Sequence, residues 1–155
     1  MLSIFMGLSL IFVTNTGVST GHHGGDQQGS GQSKTGYGEA DQNYTLAYKK
    51  SVEEEKPLMV VVGAEWCPAC DVLKKTTIKN MEQTGELDQV SVAVVDRDEE
   101  PELANELLKN EKMIPQIIFF HKNADGRWSR NQLKGYQPVQ PVRSLLRRIG
   151  ILRRG

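Results

Sequence analysis

An unbroken apolar run, Leu58-Met59-Val60-Val61-Val62, stands in the first half of the chain and leaves no polar position on either side of a strand. That is the pattern of a strand covered on both faces. Val90 to Val95 reads as a second buried strand, and Gln116 to His121 as a third apolar strand. The intervening segments change period. Tyr44, Ala47, Tyr48 and Val52 share one face of a helix that Asp41-Gln42-Asn43 caps and Lys56-Pro57 closes. Val72, Leu73 and Ile78 continue a second helical pattern, which the β-branched run Thr76-Thr77-Ile78 weakens and marks for a break. A third helix starts at the acidic, proline-marked stretch Asp98-Glu99-Glu100-Pro101 and turns Leu103, Ala104, Leu107 and Leu108 to the core. Asp125-Gly126 signals a hairpin between the third strand and a polar edge strand over Arg127 to Lys134. Val142, Leu145, Leu146 and Ile149 then recur at helical spacing up to Gly150, a C-cap.

Outside this pattern lie two segments of different character. Leu2 to Val13 is an apolar block with no acidic residue before Asp26, and residues 1–20 read as an export signal cleaved near Thr20-Gly21. A membrane span takes about 20 apolar residues, so the block suits a signal core better, although only the terminal amine supplies positive charge ahead of it. An uncleaved anchor is the rival reading; a lipid anchor is not expected, because no cysteine lies close behind the block. Residues 21–38 are rich in glycine, glutamine and serine with little apolar content, a composition that cannot repay the entropy of ordering and reads as a flexible linker. His22-His23 within it offers weak metal binding as one reading, but two adjacent histidines in such a polar run more often do nothing specific. The remainder divides into one domain over 39–150 and a basic tail over 151–155.

Composition adds limits. With 155 residues and 38% apolar content the chain can build one modest core. Lysine plus arginine (19) balances aspartate plus glutamate (19), so no overall field favours nucleic acid as a partner. The basic residues nevertheless crowd one end, at Arg143, Arg147, Arg148, Arg153 and Arg154. There they complement a helix C-terminus, with weak contact to an anionic membrane surface, through them or through the leader, as the sharper alternative.

The chemistry concentrates in Trp66-Cys67-Pro68-Ala69-Cys70, which holds both cysteines of the chain. Cysteines at i and i+3 on the first turn of a helix share a face and can bridge. Cys67 falls at the helix start, where unpaired N–H groups and the positive dipole end favour thiolate, and Pro68 fits the first helical position without losing a needed hydrogen bond. Three readings compete. A zinc site needs two more ligands, and the three histidines, His22, His23 and His121, form no paired module near the motif. A structural disulfide suits an exported protein, yet so small a loop constrains little chain entropy. A redox-active pair fits the strand-to-helix context.

The order helix, strand, Cys-x-x-Cys helix, strand, helix, Ile-Pro strand, hairpin, helix resembles the thioredoxin superfamily over Gln42 to Gly150, most specifically at Ala64-Glu65-Trp66-Cys67 with Cys70, at Ile114-Pro115 and at Gly135. Lys56-Pro57-Leu58 is similar to exported thioredoxin-like reductase domains. The resemblance implies a single α/β domain with a central mixed sheet of about four strands flanked by helices. It implies Cys67 as nucleophile, Cys70 as resolving thiol, and a cis Pro115 beside an Ile114 backbone that pairs an extended substrate. Trp66 would shield the site, with Glu65, Pro68, Ala69 and Gly135 in support. Two positions depart from the thioredoxin pattern. Pro68-Ala69 replaces Gly-Pro, which leaves the redox direction open, and Val61 stands where thioredoxins carry a buried aspartate. The expected protein is a monomeric thiol-disulfide oxidoreductase of the periplasm, cell envelope or exterior. It acts on protein or peptide disulfides without a bound cofactor, is recharged by an unidentified redox partner, and works preferably as a reductase. A redox-inert peptide-binding adaptor and a thiol carrier for copper or haem maturation are the alternatives.

Overall fold

The computed structural model describes residues 43–152. The export signal over 1–20, the linker over 21–38 and Arg153-Arg154 lie outside them.

Four strands form one sheet in the order β2-β1-β3-β4: β1 (Leu58–Gly63), β2 (Ser91–Asp96), β3 (Gln116–Lys122) and β4 (Trp128–Lys134). β2 lies parallel to β1, whereas β3 is antiparallel to β1 and β4 antiparallel to β3. The apolar run of β1 is thereby explained. Met59 and Val61 join Ile117 and Phe119 on one face, under Leu73, Ile78, Met81, Leu145 and Leu146. Leu58, Val60 and Val62 join Ile118 on the other, under Ala47, Ala104, Leu107 and Leu108. All six β1 residues are buried.

β2 differs from the expectation of a second strand buried throughout: its residues alternate between buried and half-buried. It is an edge strand, so neighbours cover it less completely than they cover β1.

Helix α1 (Tyr44–Glu53) starts where Asn43 Oδ1 accepts from the N–H groups of Thr45 (2.9 Å) and Leu46 (3.3 Å). Its buried side chains are Ala47 and Ser51, while Tyr48 and Val52 stay about half exposed, contrary to the apolar face expected. The inward stripe is rotated toward small residues, and the Ser51 hydroxyl is satisfied by donating to Lys56 O at 2.7 Å.

After the cysteines the helix does not break. α2 (Pro68–Val72) runs into a π-helical stretch (Leu73–Ile78) and on into α3 (Lys79–Gln83). The β-branched residues explain the widened turn. Thr76 Oγ1 donates back to Val72 O at 2.7 Å, and buried Thr77 Oγ1 donates outward to Gln137 O at 2.6 Å. Leu73 and Ile78 reach the core, but Val72 remains 45% exposed.

α4 (Pro101–Leu108) buries Ala104, Leu107 and Leu108, and α5 (Val139–Arg148) buries Val142, Leu145 and Leu146. Gly150, at φ 81°, ends α5 in the left-handed conformation that glycine adopts without a Cβ penalty. Arg143 faces inward to Glu86, with Nε 2.9 and 3.0 Å from its two carboxylate oxygens, so it is not part of an exposed basic end. Arg147 and Arg148 are exposed. No helix among the described residues is long and apolar enough to cross a membrane.

Candidate active site

Because β1 and β2 are parallel and β3 runs against them, the C-terminal ends of β1 and β2, the N-terminus of β3 and the end of β4 lie at one edge of the sheet. The loops of that edge carry the candidate residues. Cys67 is the N-cap of α2: its Sγ accepts the Cys70 N–H at 3.2 Å, and its carbonyl accepts from Cys70 (3.0 Å) and Asp71 (3.1 Å). Pro68 takes the first helical position and Ala69 follows it, both exposed. Cys67 and Cys70 are joined in a disulfide across this turn, with Cα atoms 5.2 Å apart.

The two thiol positions differ less in exposure than their sequence places suggest. Cys67 is 5% exposed and Cys70 1%, because Ala64 and Ile114 close over the pair. Trp66 lies outside, 65% exposed, and its Nε1–H donates to Asp98 Oδ2 at 2.5 Å. The Asp98 loop is itself fastened to β1: Arg97 N donates to Gly63 O at 2.9 Å, and Asp98 N to Asp96 Oδ1 at 2.8 Å.

The Ile114–Pro115 peptide is cis. Ile114 packs against the cysteines, and Pro115 O accepts from Gly135 N at 2.8 Å, so Gly135 (φ 74°) docks the end of β4 on the proline. Among the described residues, the N–H and C=O of Ile114 have no backbone partner. Met113, Trp66 and Tyr136 stand exposed on the loops around the pair. Glu65 is exposed, and Val61 lies fully buried in the apolar layer below, with no carboxyl group of its own to serve Cys70.

Three contributors were not singled out in the sequence. Gly63 ends β1 beneath Cys70, and a Cβ there would lie 3.2 Å from Cys70 Sγ. A lone glycine closing an apolar strand is the signal for such an approach. Asp98 reads from the sequence only as part of an acidic helix start, and no local pattern links it to Trp66. Gln116, expected only as the first residue of a strand, is fully buried.

His121, also buried, is engaged elsewhere. Nδ1 bonds Lys122 O at 3.2 Å and Nε2 bonds Asn131 Nδ2 at 3.0 Å, a pairing that suits the neutral ring with its proton on Nδ1. Among the described residues no three His, Cys, Asp or Glu side chains converge as metal ligands would.

A vicinal disulfide-forming pair capping a helix at the edge of a four-stranded mixed sheet, with a cis-proline loop packed beside it, defines a thioredoxin-type thiol-disulfide oxidoreductase. The model of the thioredoxin-like domain matches residues 44–150, and the chain belongs to the thioredoxin superfamily. A thioredoxin from Thermus thermophilus is 24% identical, with a TM-score of 0.59, over 70% of this chain and 84% of its own. Chloroplastic thioredoxin z is 25% identical (TM-score 0.51; 69% and 89% covered). A Trichomonas vaginalis thioredoxin is 17% identical (TM-score 0.52; 70% and 92% covered) and shares the fold. No functionally curated protein matches the chain.

Proposed function

We propose that the protein is an exported reductase of protein disulfides. The observation that carries the reading is the Cys67–Cys70 disulfide seated against Ile114, whose backbone is free to pair an extended segment. In the reduced protein the Cys67 thiolate attacks one sulfur of a substrate disulfide. The substrate bond breaks, a Cys67–substrate bond forms, and the other substrate sulfur leaves as thiolate and takes a proton. Cys70, deprotonated, then attacks Cys67 Sγ. The mixed disulfide breaks, the second substrate thiol leaves, and the Cys67–Cys70 bond is restored. Two electrons pass from the dithiol to the substrate, and an external dithiol donor must return them.

Trp66 covers one side of the pair, and Met113 and Tyr136 supply apolar contact for the flanks of a bound peptide. The leader over 1–20 supports action outside the cytoplasm, where disulfide substrates are found. Reduction of insulin in the presence of dithiothreitol tests the reading: turnover in the parent and none in Cys67→Ser is expected, and a parent rate equal to that of dithiothreitol alone would overturn it.

A further inference from the structure

The segment that carries Ile114 is tied down from several directions although it belongs to no helix or strand. α4 ends on two consecutive left-handed residues, Lys109 (φ 53°) and Asn110 (φ 62°), and residues 111–115 then cross to β3. Arg97 Nη1 donates to Lys112 O at 3.1 Å. Gln116 Nε2 donates to Met113 O at 3.0 Å and to Glu111 Oε2 at 3.2 Å. The other carboxylate oxygen of Glu111 accepts from Lys134 Nζ at 2.6 Å, and Lys134 is the residue that faces Gln116 across β3 and β4.

Gln116 is fully buried, and its Oε1 has no partner among the described residues. An amide with one orphaned end fills a core position less favourably than an aliphatic side chain of similar size. What the amide supplies there is its NH2 group, which reaches back over the cis-proline to hold the carbonyl immediately before Ile114. Glu111 extends the same hold to β4. The bonds run to Met113 and Glu111, not to either cysteine.

We infer that Gln116 is a positioning residue, acting with Glu111 and Lys134, that sets where the Ile114 backbone stands beside the Cys67–Cys70 pair and so governs docking of a protein substrate without altering the chemistry of the sulfurs. For its substrate the inference rests on the proposed reductase activity, whereas its geometric content stands apart from that activity.

The test compares the parent with Gln116→Leu, Glu111→Ala and Glu111→Gln in the reduction of insulin and of dithiobis(nitrobenzoate), a small disulfide that needs no strand pairing. Gln116→Leu and Glu111→Ala should raise KM for insulin about three- to tenfold, the loss of one or two hydrogen bonds, with kcat and the small-disulfide rate within about twofold of the parent. Glu111→Gln, which keeps a carbonyl acceptor for Gln116, should recover most of the loss. Should Gln116→Leu fail to fold, Glu111→Ala decides alone, since its side chain is partly exposed. Parallel loss on both substrates, or an unchanged KM in Glu111→Ala, would overturn the inference. If the parent reduces the small disulfide but not insulin, the reductase reading fails separately, and amide exchange at Gly135, whose N–H donates to Pro115 O, then decides: exchange about tenfold faster in Glu111→Ala upholds the positioning role, and unchanged exchange rejects it.

Discussion

Cys70 sits on Gly63 so closely that a Cβ at residue 63 would lie 3.2 Å from its sulfur and 3.3 Å from its Cβ. The end of β1 is therefore the floor of the redox site. In the disulfide the Cys70 sulfur is fixed, whereas the free thiol can turn away from an added methyl group. Gly63→Ala should then destabilise the oxidised form more than the reduced one, by about 1 kcal/mol, the scale of mild overpacking. That difference raises the reduction potential by about 20 mV, making the protein the weaker reductant. Redox equilibration against a dithiothreitol or glutathione buffer measures it, and an unchanged potential would show that Cys70 has room to give.

The Trp66–Asp98 hydrogen bond gives a second prediction. It joins the cysteine loop to the loop after β2 and holds an indole that is otherwise two-thirds exposed. Asp98→Ala should release the ring and slow insulin reduction severalfold. The melting temperature should hardly move, since exposed substitutions of this kind stay within about 0.5 kcal/mol. In a Trp128→Phe background, which leaves Trp66 as the sole tryptophan of the sequence, fluorescence reports the release directly, and an unchanged emission spectrum would show that packing alone holds the ring.

In the reduced protein, limiting iodoacetamide should label Cys67 about tenfold faster than Cys70. Cys67 is the less buried of the two, and its sulfur accepts the Cys70 N–H, a bond that strengthens when the sulfur is charged. Peptide mapping after a short exposure distinguishes the sites. Equal labelling would mean that the cap contributes nothing to reactivity.

These predictions divide by how legible their residues were. The strands, the cysteine helix and the hairpin announced themselves because period and turn chemistry are local properties, and the cis-proline loop followed from a motif in a known order of elements. Tyr48, Val52 and Val72 misled because helical spacing shows an apolar stripe but not its rotation toward a neighbour; Ser51, polar by type, faces inward once Lys56 O accepts its proton. β2 reads as buried throughout because its valines resemble those of β1, and only the sheet order makes it an edge. Asp98 and Arg143 owe their roles to partners reached through tertiary packing, at Trp66 and Glu86, which no window of sequence contains, whereas Gln116 bonds Met113 only three residues back, around a turn at Ile114-Pro115 that hydrophobic periodicity does not show.

The Arg143–Glu86 pair joins α5 to the loop after α3, and the Arg143 hydrogen bonds hold the Glu86 carboxyl below its ordinary range. A carboxyl depressed in the folded state stabilises the fold above its unfolded pKa, and the contribution is lost as pH falls through the folded value. Glu86→Gln should thus cost about 1 kcal/mol at neutral pH, a reasonable figure for a partly occluded bidentate pair. Parent and variant should converge in acid, below the ordinary carboxylate range. Urea midpoints across that window check the sign, and a pH-independent gap would assign the effect to packing.

The final prediction concerns proton removal from Cys70. To resolve a mixed disulfide Cys70 must become a thiolate, yet the residue is 1% exposed, and desolvation opposes the charge. The position below it that is a buried aspartate in thioredoxins is Val61, fully buried among Leu73, Ile117 and Phe119, with no atom to accept a proton. The mixed disulfide on Cys67 should therefore outlive that of a typical thioredoxin. Val61→Asp should shorten its lifetime while lowering stability by about 1–3 kcal/mol, the cost of burying a carboxyl group without a partner. Stopped-flow release from a preformed Cys67 mixed disulfide separates the two effects, because release is timed on folded protein and stability is read independently from urea titration. Equal release rates in the parent and in folded Val61→Asp would mean that another base reaches Cys70. The exposed Glu65, acting through water, is then the group to replace next.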